Sequence, residues 1–149
     1  WGGGGGGGTA VADLDPGDVR AMLDGHLWST FHLVRAALPG MLERGHGRIV
    51  AVSSPYAAEP GPRGAPYAIG KAAQDVLLRS LAREVANMGV TVNQVAVRTI
   101  DVEHEREREP TARNAAWATP EEIAAVMLFL ASDEAAAVNG ARVPLFGRG

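Results

Sequence analysis

The stretch Gly47–Lys71, GRIVAVSSPYAAEPGPRGAPYAIGK, constrains this chain more than any other. It reads as a strand ending in two serines, a Pro/Gly loop, and a helix that opens on a tyrosine with a lysine four residues on. Arg48 to Ser53 alternates little, with Ile49, Val50, Ala51 and Val52 in succession, as a short strand covered on both faces requires. The loop Pro55 to Gly64 carries three prolines and two glycines, so it is shaped without being regular. Pro66 sits at a helix start, and Ala73, Val76, Leu77, Ser80, Leu81 and Val85 form the expected buried stripe. Asn87-Met88-Gly89 closes that helix on a glycine, and Thr91 to Val97 is the next strand. Strand, long crossover and strand is the pattern of a right-handed parallel unit.

Upstream, Asp15-Pro16 opens the first helix with an acidic cap and a proline at the first helical position. Leu23, Leu27, Phe31, Val34, Leu38 and Met41 recur every three or four residues as one long apolar face. Pro39-Gly40 should kink or end this helix, with the remainder reaching Arg44-Gly45. Downstream, the segment from Asp101 to Glu109 alternates charge and has no apolar face. It reads as a solvated helix or mobile loop. The second reading is an active-site lid, because it follows the C-terminal end of a strand, where open α/β sheets bind ligands. Thr119-Pro120-Glu121-Glu122 is a capping box ahead of a helix with Ile123, Val126, Met127 and Leu130 inward, ending near Ser132. Ala141 to Phe146 is the last short strand, and no internal repeat is visible.

A length of 149 residues suits one domain. Residues 1–9 begin with Trp1 and a glycine run, expected to be a flexible segment, and residues 10–149 form the folded part. A phosphate-cradling reading of the glycines would need a strand before them and a helix start or Lys-Ser/Thr after them, and neither is present. The net charge of −3 gives no reason to expect nucleic acid or an anionic membrane as partner. No apolar run is long enough for a transmembrane helix, and no secretory leader pattern occurs. With no cysteine, disulfides and thiolate chemistry are excluded, and a cytoplasmic location is expected. A start at Trp1 rather than Met suggests a piece of something longer.

The chemistry is expected at Tyr67 and Lys71. At i and i+4 on a helix their side chains share a face. An ammonium beside a phenol favours the phenolate and lowers a pKa that starts near ~10. Tyr67 is thereby a candidate proton donor and acceptor near neutral pH. A hydroxyl at the strand end, Ser54 or Ser53, is placed to bind the oxygen whose charge changes. Lys71 is the only lysine, the other thirteen of the 14 Lys and Arg residues being arginine. A compact ammonium has been used where the chain elsewhere uses guanidinium. Tyr56 has no lysine four residues on and reads as loop packing. The histidines His32, His46 and His104 have no metal-ligand spacing, and His26 and His32 do not share a helix face, so no metal site is expected.

Ser54, then Tyr67 thirteen residues on, then Ala68-Ile69-Gly70-Lys71, resembles the Ser/YxxxK signature of the short-chain dehydrogenase/reductase family. Arg35-Ala36-Ala37-Leu38-Pro39 before Gly47-Arg48-Ile49-Val50 agrees, as do Pro120–Ala124 before Phe129–Asp133 and Asn139-Gly140-Ala141. The likeness runs from about Asp15 to the C-terminus and covers only the second half of the family fold. It implies an α/β fold, a partial Rossmann-like doubly wound parallel sheet of about three strands with flanking helices. The N-terminal nucleotide-binding βαβ units are lacking.

The implied activity is NAD(P)-dependent interconversion of a secondary alcohol and a ketone. Tyr67 exchanges the proton, Ser54 hydrogen-bonds the substrate oxygen, and Lys71 depresses the tyrosine pKa and holds the nicotinamide ribose. Ser53 is the lesser candidate, since adjacent strand residues point to opposite faces. A cofactor, NAD or NADP, is expected against Tyr67, Lys71, Val97, Arg98 and Ile100. The family pairs the two long helices across a dimer interface, which implies a homodimer or homotetramer.

The sequence departs from the family at three places. His26 stands where an Asn supports a proton relay; a histidine there relays protons or packs as an ordinary helix residue. Val97-Arg98 replaces a Pro-Gly, and Arg98 is a candidate phosphate contact. No GxxxGxG-like turn occurs, nor an acidic or basic residue that selects the adenosine ribose. These departures support the rival reading, a non-catalytic relative serving as subunit or scaffold. Three parallel strands with an open edge also predict that the isolated chain is unstable or pairs with another chain.

Overall fold

The computed structural model describes residues 8–146. Trp1 and Gly2–Gly7 of the expected flexible segment lie outside the described residues. Helix α1 (Pro16–Met22) starts as its cap dictates, with the Asp15 carboxylate accepting the Gly17 N–H at 2.6 Å. It runs through a π-helical segment, Leu23–Trp28, into α2 (Ser29–Arg44). The periodicity did not disclose that segment. The Ser29 N–H bonds to the Asp24 carbonyl, five residues back, and the Ser29 hydroxyl donates to the Gly25 carbonyl at 2.7 Å. Pro39 lies inside α2, which continues to a left-handed Gly45 at φ +63°. Pro39 deprives the Arg35 carbonyl of its partner, and both residues are exposed, so water can serve that carbonyl. The six expected apolar positions of this helix are half-buried.

Strands β1 (Gly47–Ser53), β2 (Val90–Val97) and β3 (Arg142–Leu145) form a parallel sheet in that order. The crossover from β1 to β2 is α3 (Ala65–Glu84). The crossover to β3 carries α4 (Glu105–Arg108) and α5 (Pro120–Ala131). Strand alternation assigns the two faces. Ile49, Ala51, Val90 and Val92 pack with Leu78, Leu81, Ala82 and Val85 of α3, and with Val34, Leu38 and Met41 of α2. Val50, Val52, Val95, Val97, Val143 and Leu145 pack with Ile123, Val126, Met127 and Leu130 of α5. Helices thus cover both faces, and β2, the middle strand, is buried throughout. This is the doubly wound α/β arrangement that the sequence led us to expect.

Two features correct the reading from sequence. The buried stripe of α3 is Ala68, Lys71, Gln74, Leu78, Leu81, Ala82 and Val85, whereas Val76 is 57% exposed and Ser80 faces solvent. Leu81 and Val85 of the expected stripe are buried, and Val76 and Ser80 are misplaced because the true face is polar at its N-terminal end. Asp101 is the second correction: it is 1% exposed although it opens the segment read as solvated. Its two carboxylate oxygens accept the N–H groups of Glu105 at 2.8 Å and Arg106 at 3.0 Å, capping α4. Arg106 continues to the Glu122 carboxylate at 2.8 Å, so this segment is fastened to the start of α5. The capping box is complete: the Thr119 hydroxyl accepts the Glu122 N–H at 3.3 Å and Glu122 accepts the Thr119 N–H at 2.9 Å.

Asn93 and Asn139 fasten β3 to its surroundings. Asn139 accepts the Val92 N–H at 2.9 Å and donates to the Ala82 carbonyl at 2.7 Å. Asn93 accepts the Ala141 N–H at 2.9 Å and donates to the Val138 carbonyl at 2.8 Å. His46 lies 3.8 Å from the Asp133 carboxylate and His104 lies 3.2 Å from that of Glu121, pairings that only the fold creates. Among the described residues no helix is long and apolar enough to cross a membrane.

Candidate active site

The C-terminal end of β1 delivers Ser54, which is 1% exposed. Its hydroxyl oxygen accepts the Tyr56 N–H at 3.3 Å as the chain turns through a short 3-10 helix, Pro55–Ala57. That turn is stabilised by the Ser54 carbonyl, which accepts the Ala57 N–H at 3.0 Å. It brings the Tyr56 ring edge-on to Tyr67, 6.4 Å between centroids. Tyr67 in turn meets His26 edge-on at 5.5 Å. Ser53, also buried, has a hydroxyl with no hydrogen-bond partner.

Lys71 follows Tyr67 by one turn of α3 on the inward face. Its ammonium donates to the Val52 carbonyl at 2.8 Å and to the Gln74 side-chain oxygen at 3.2 Å. Gln74 passes the connection to the Thr30 hydroxyl of α2 at 2.8 Å. Burial pushes the Lys71 pKa below its ordinary value, because removing an ammonium from water disfavours the charged form. The His26 pKa is also lowered, first by burial and then by repulsion from the Lys71 charge. The electrostatic coupling ties the π-helical segment to α3 in one site.

Gly70 makes this approach of helices feasible. A Cβ there would lie 2.7 Å from the Met22 carbonyl oxygen and 2.9 Å from the His26 ring. A side chain at position 70 would therefore hold α3 away from the helix that carries His26. The π-helical segment carries His26, and π-helical turns are frequent at functional sites.

The candidate cofactor positions divide. Val97 is buried in the core on the α5 side. Arg98 is exposed, its guanidinium 5.6 Å from the centroid of the Phe146 ring. Ile100 is 46% exposed, its backbone paired with Ala118 in an isolated parallel bridge. Sequence reasoning missed Gln74, Thr30 and Arg142, whose partners are remote in the chain, and it treated Tyr56 as packing only. For Gln74 a signal existed: it continues the spacing of Tyr67 and Lys71 along one face.

A doubly wound parallel sheet with Tyr67, Lys71 and His26 gathered near the end of β1 defines a Rossmann-like α/β class. The family described as enoyl-(acyl carrier protein) reductase matches residues 3–145. The 3-oxoacyl-[acyl-carrier-protein] reductase of Pseudomonas aeruginosa is 38% identical over 134 residues, covering 85% of this chain and 54% of that protein. The acetoacetyl-CoA reductase of Allochromatium vinosum is 35% identical over 139 residues, covering 85% of this chain and 55% of that protein. The crystal structure of a 3-oxoacyl (acyl-carrier-protein) reductase from Agrobacterium tumefaciens C58 with NADP bound is similar, with a TM-score of 0.81 and 29% identity. It is matched over 95% of this chain and 60% of that one. The chain belongs to the short-chain dehydrogenase/reductase family. It spans little more than half the length of these curated relatives, at 54% and 55%.

Proposed function

We propose that this chain carries the catalytic half of an NAD(P)-dependent oxidoreductase that interconverts a secondary alcohol and a ketone. The observation that carries the reading is the grouping of Tyr67, Lys71 and His26, with the buried Ser54 at the adjoining strand end. In the reductive direction the Tyr67 hydroxyl gives its proton to the substrate oxygen, and Ser54 donates a hydrogen bond to that oxygen. The Ser54 oxygen already accepts from the Tyr56 N–H, so its own O–H is free to point at substrate. Lys71 uses two of its three donors on Val52 and Gln74, leaving one for a ribose hydroxyl. His26, against the Tyr67 ring, is the group through which a proton is returned from solvent.

The residues at the open end of the sheet fit the nicotinamide end of the cofactor: Arg98 and Ile100 are exposed there, beside the strand that follows α3. Among the described residues no glycine-rich turn joins a strand to a helix N-terminus, the arrangement that would hold the pyrophosphate. When bound, the nicotinamide supplies or accepts the hydride at the carbinol carbon. Val97 contributes through its backbone, since its side chain belongs to the core. A 3-oxoacyl thioester is the first ketone to test, since relatives are named for such substrates. Pairing into a homodimer or homotetramer through the long helices is supported by exposed apolar residues on α2 and α3, among them Leu33 at 71%.

The test is Tyr67→Phe in the full protein, with NADPH or NADH oxidation followed in the presence of the ketone. Loss of the phenolic proton donor should lower kcat by about 10² to 10⁴-fold with the fold intact. Ser54→Ala beside Ser53→Ala separates the two strand-end serines. A Tyr67→Phe protein as active as the wild type would remove the reading. A folded wild type that neither binds a nicotinamide nucleotide nor turns over any ketone would favour the non-catalytic relative.

A further inference from the structure

We infer that Arg142 is the residue that sets the position of Ser54: its guanidinium, reaching from β3 past the middle strand, fixes the Ser54 carbonyl at the end of β1. The inference rests on the reading of Ser54 as the serine that binds the substrate oxygen. Arg142 stands opposite Gln94 in the β2–β3 register, and Gln94 stands opposite Ala51 of β1. Its Nη2 nevertheless donates to the Ser54 carbonyl at 2.7 Å, spanning the sheet diagonally. The same carbonyl accepts the Ala57 N–H at 3.0 Å. A cationic donor and a turn N–H therefore hold one peptide plane from two directions, and a bond from an ionised donor is the stronger kind.

Placing an arginine there has a cost, since its Nε is buried with no hydrogen-bond partner. An apolar side chain on this part of the sheet would leave no stranded donor. The arrangement is accounted for if the guanidinium is needed at the Ser54 carbonyl. The peptide it holds determines where the Ser54 hydroxyl lies, and the Tyr56 N–H that Oγ accepts belongs to the turn this carbonyl anchors. Arg142 touches neither substrate nor the reacting atoms; it is a positioning residue. A hydroxyl misplaced by about 1 Å costs on the order of 10²-fold in rate.

The experiment uses the full protein as wild type, Arg142→Met, Arg142→Lys, Ser54→Ala and the Arg142→Met/Ser54→Ala double variant. For Arg142→Met, kcat should fall by about 10 to 10²-fold while KM for the ketone and the nucleotide Kd stay within about twofold. Arg142→Lys, which keeps a cationic donor, should recover part of the loss. In the Ser54→Ala background the Arg142→Met change should cost little more, since the hydroxyl to be positioned is gone. Wild-type kcat in folded Arg142→Met, or a fully additive loss in the double variant, would overturn the inference.

Amide hydrogen exchange gives a readout that needs no activity. The Ala57 N–H should exchange about tenfold faster in Arg142→Met, while amides of β2 and α5 are unchanged. If the wild type proves inactive, the oxidoreductase reading fails, and unchanged Ala57 exchange would still sink the positioning role by itself. Should Arg142→Met not fold, Arg142→Gln takes its place in both measurements, and wild-type Ala57 exchange together with wild-type kcat in that variant overturns the inference.

Discussion

His26 stands with its ring edge-on to Tyr67 and under the field of the Lys71 ammonium, on a helix whose hydrogen bonding widens at that point. Its folded-state pKa lies below 6.5, so the unfolded chain takes up the imidazole proton first as acid is added. The stability that His26 supports is whole above 6.5 and is lost as pH falls through that value towards the folded pKa. We expect the urea midpoint of the wild type to drop between about pH 7 and pH 5 more than that of His26→Gln. Parallel pH profiles would show that the histidine is indifferent to its surroundings. Lys71 acts at the other limb: with its folded pKa depressed below 10.5, its contribution rises with pH as the folded state sheds the buried charge. At this scale the sequence was legible where partners are near in the chain. Tyr67 and Lys71 are one helical turn apart, and the family resemblance singled out His26 as a departure from an expected asparagine. Tyr56, Gln74, Asp101 and Arg142 acquire their meaning from partners that their residue types do not announce. Gln74 and Arg142 use partners 44 and 88 residues away, Thr30 and the Ser54 carbonyl.

Between elements, the closest constraint is the crossing of α3 over the π-helical segment at Gly70. Alanine in place of glycine inside a helix ordinarily stabilises by about 1 kcal/mol. Here the added Cβ meets the Met22 carbonyl oxygen at 2.7 Å and carbon at 3.1 Å, main-chain atoms that yield only if a helix shifts. Gly70→Ala should therefore lower stability, by about 1–3 kcal/mol in denaturant unfolding, with the sign opposite to helix propensity. Unchanged or increased stability would show that the two helices separate at no cost. The same crossing explains what the sequence hid about α3. Its inward face begins with Tyr67, Lys71 and Gln74, and the latter two are buried because the Val52 carbonyl and Thr30 satisfy them. Apolar periodicity cannot detect a buried face built that way, so Val76 and Ser80 were assigned inward although they point out. Helix α5 has no such polar end, and its capping box and inward face were read correctly.

Across the whole molecule, the sheet is covered above and below but unevenly along its width. Strand β2 is buried at every position, whereas β1 between its ends is only half-buried, and no strand borders its other edge among the described residues. An edge of this kind presents main-chain donors and acceptors to any extended segment. Helices α2, α3 and α5 add exposed apolar side chains at Leu33, Val76, Leu128 and Phe129. A net charge of −3 opposes self-association only weakly. The sequence foretold both the three-strand sheet and its open edge, since strand count and crossovers are local patterns. What covers that edge is not a local pattern. We expect the 149-residue chain to sediment as an associating species whose weight-average mass rises with concentration across the low micromolar range. At the lowest concentrations, amides of β1 should exchange well ahead of those of β2, because β1 has an unpaired edge and is half-buried between its ends while β2 is paired on both sides and buried at every position. A dilute monomer with equal protection in the two strands would refute this: the edge of β1 would then be as stable alone as the centre of the sheet, and association would have no role in holding the fold.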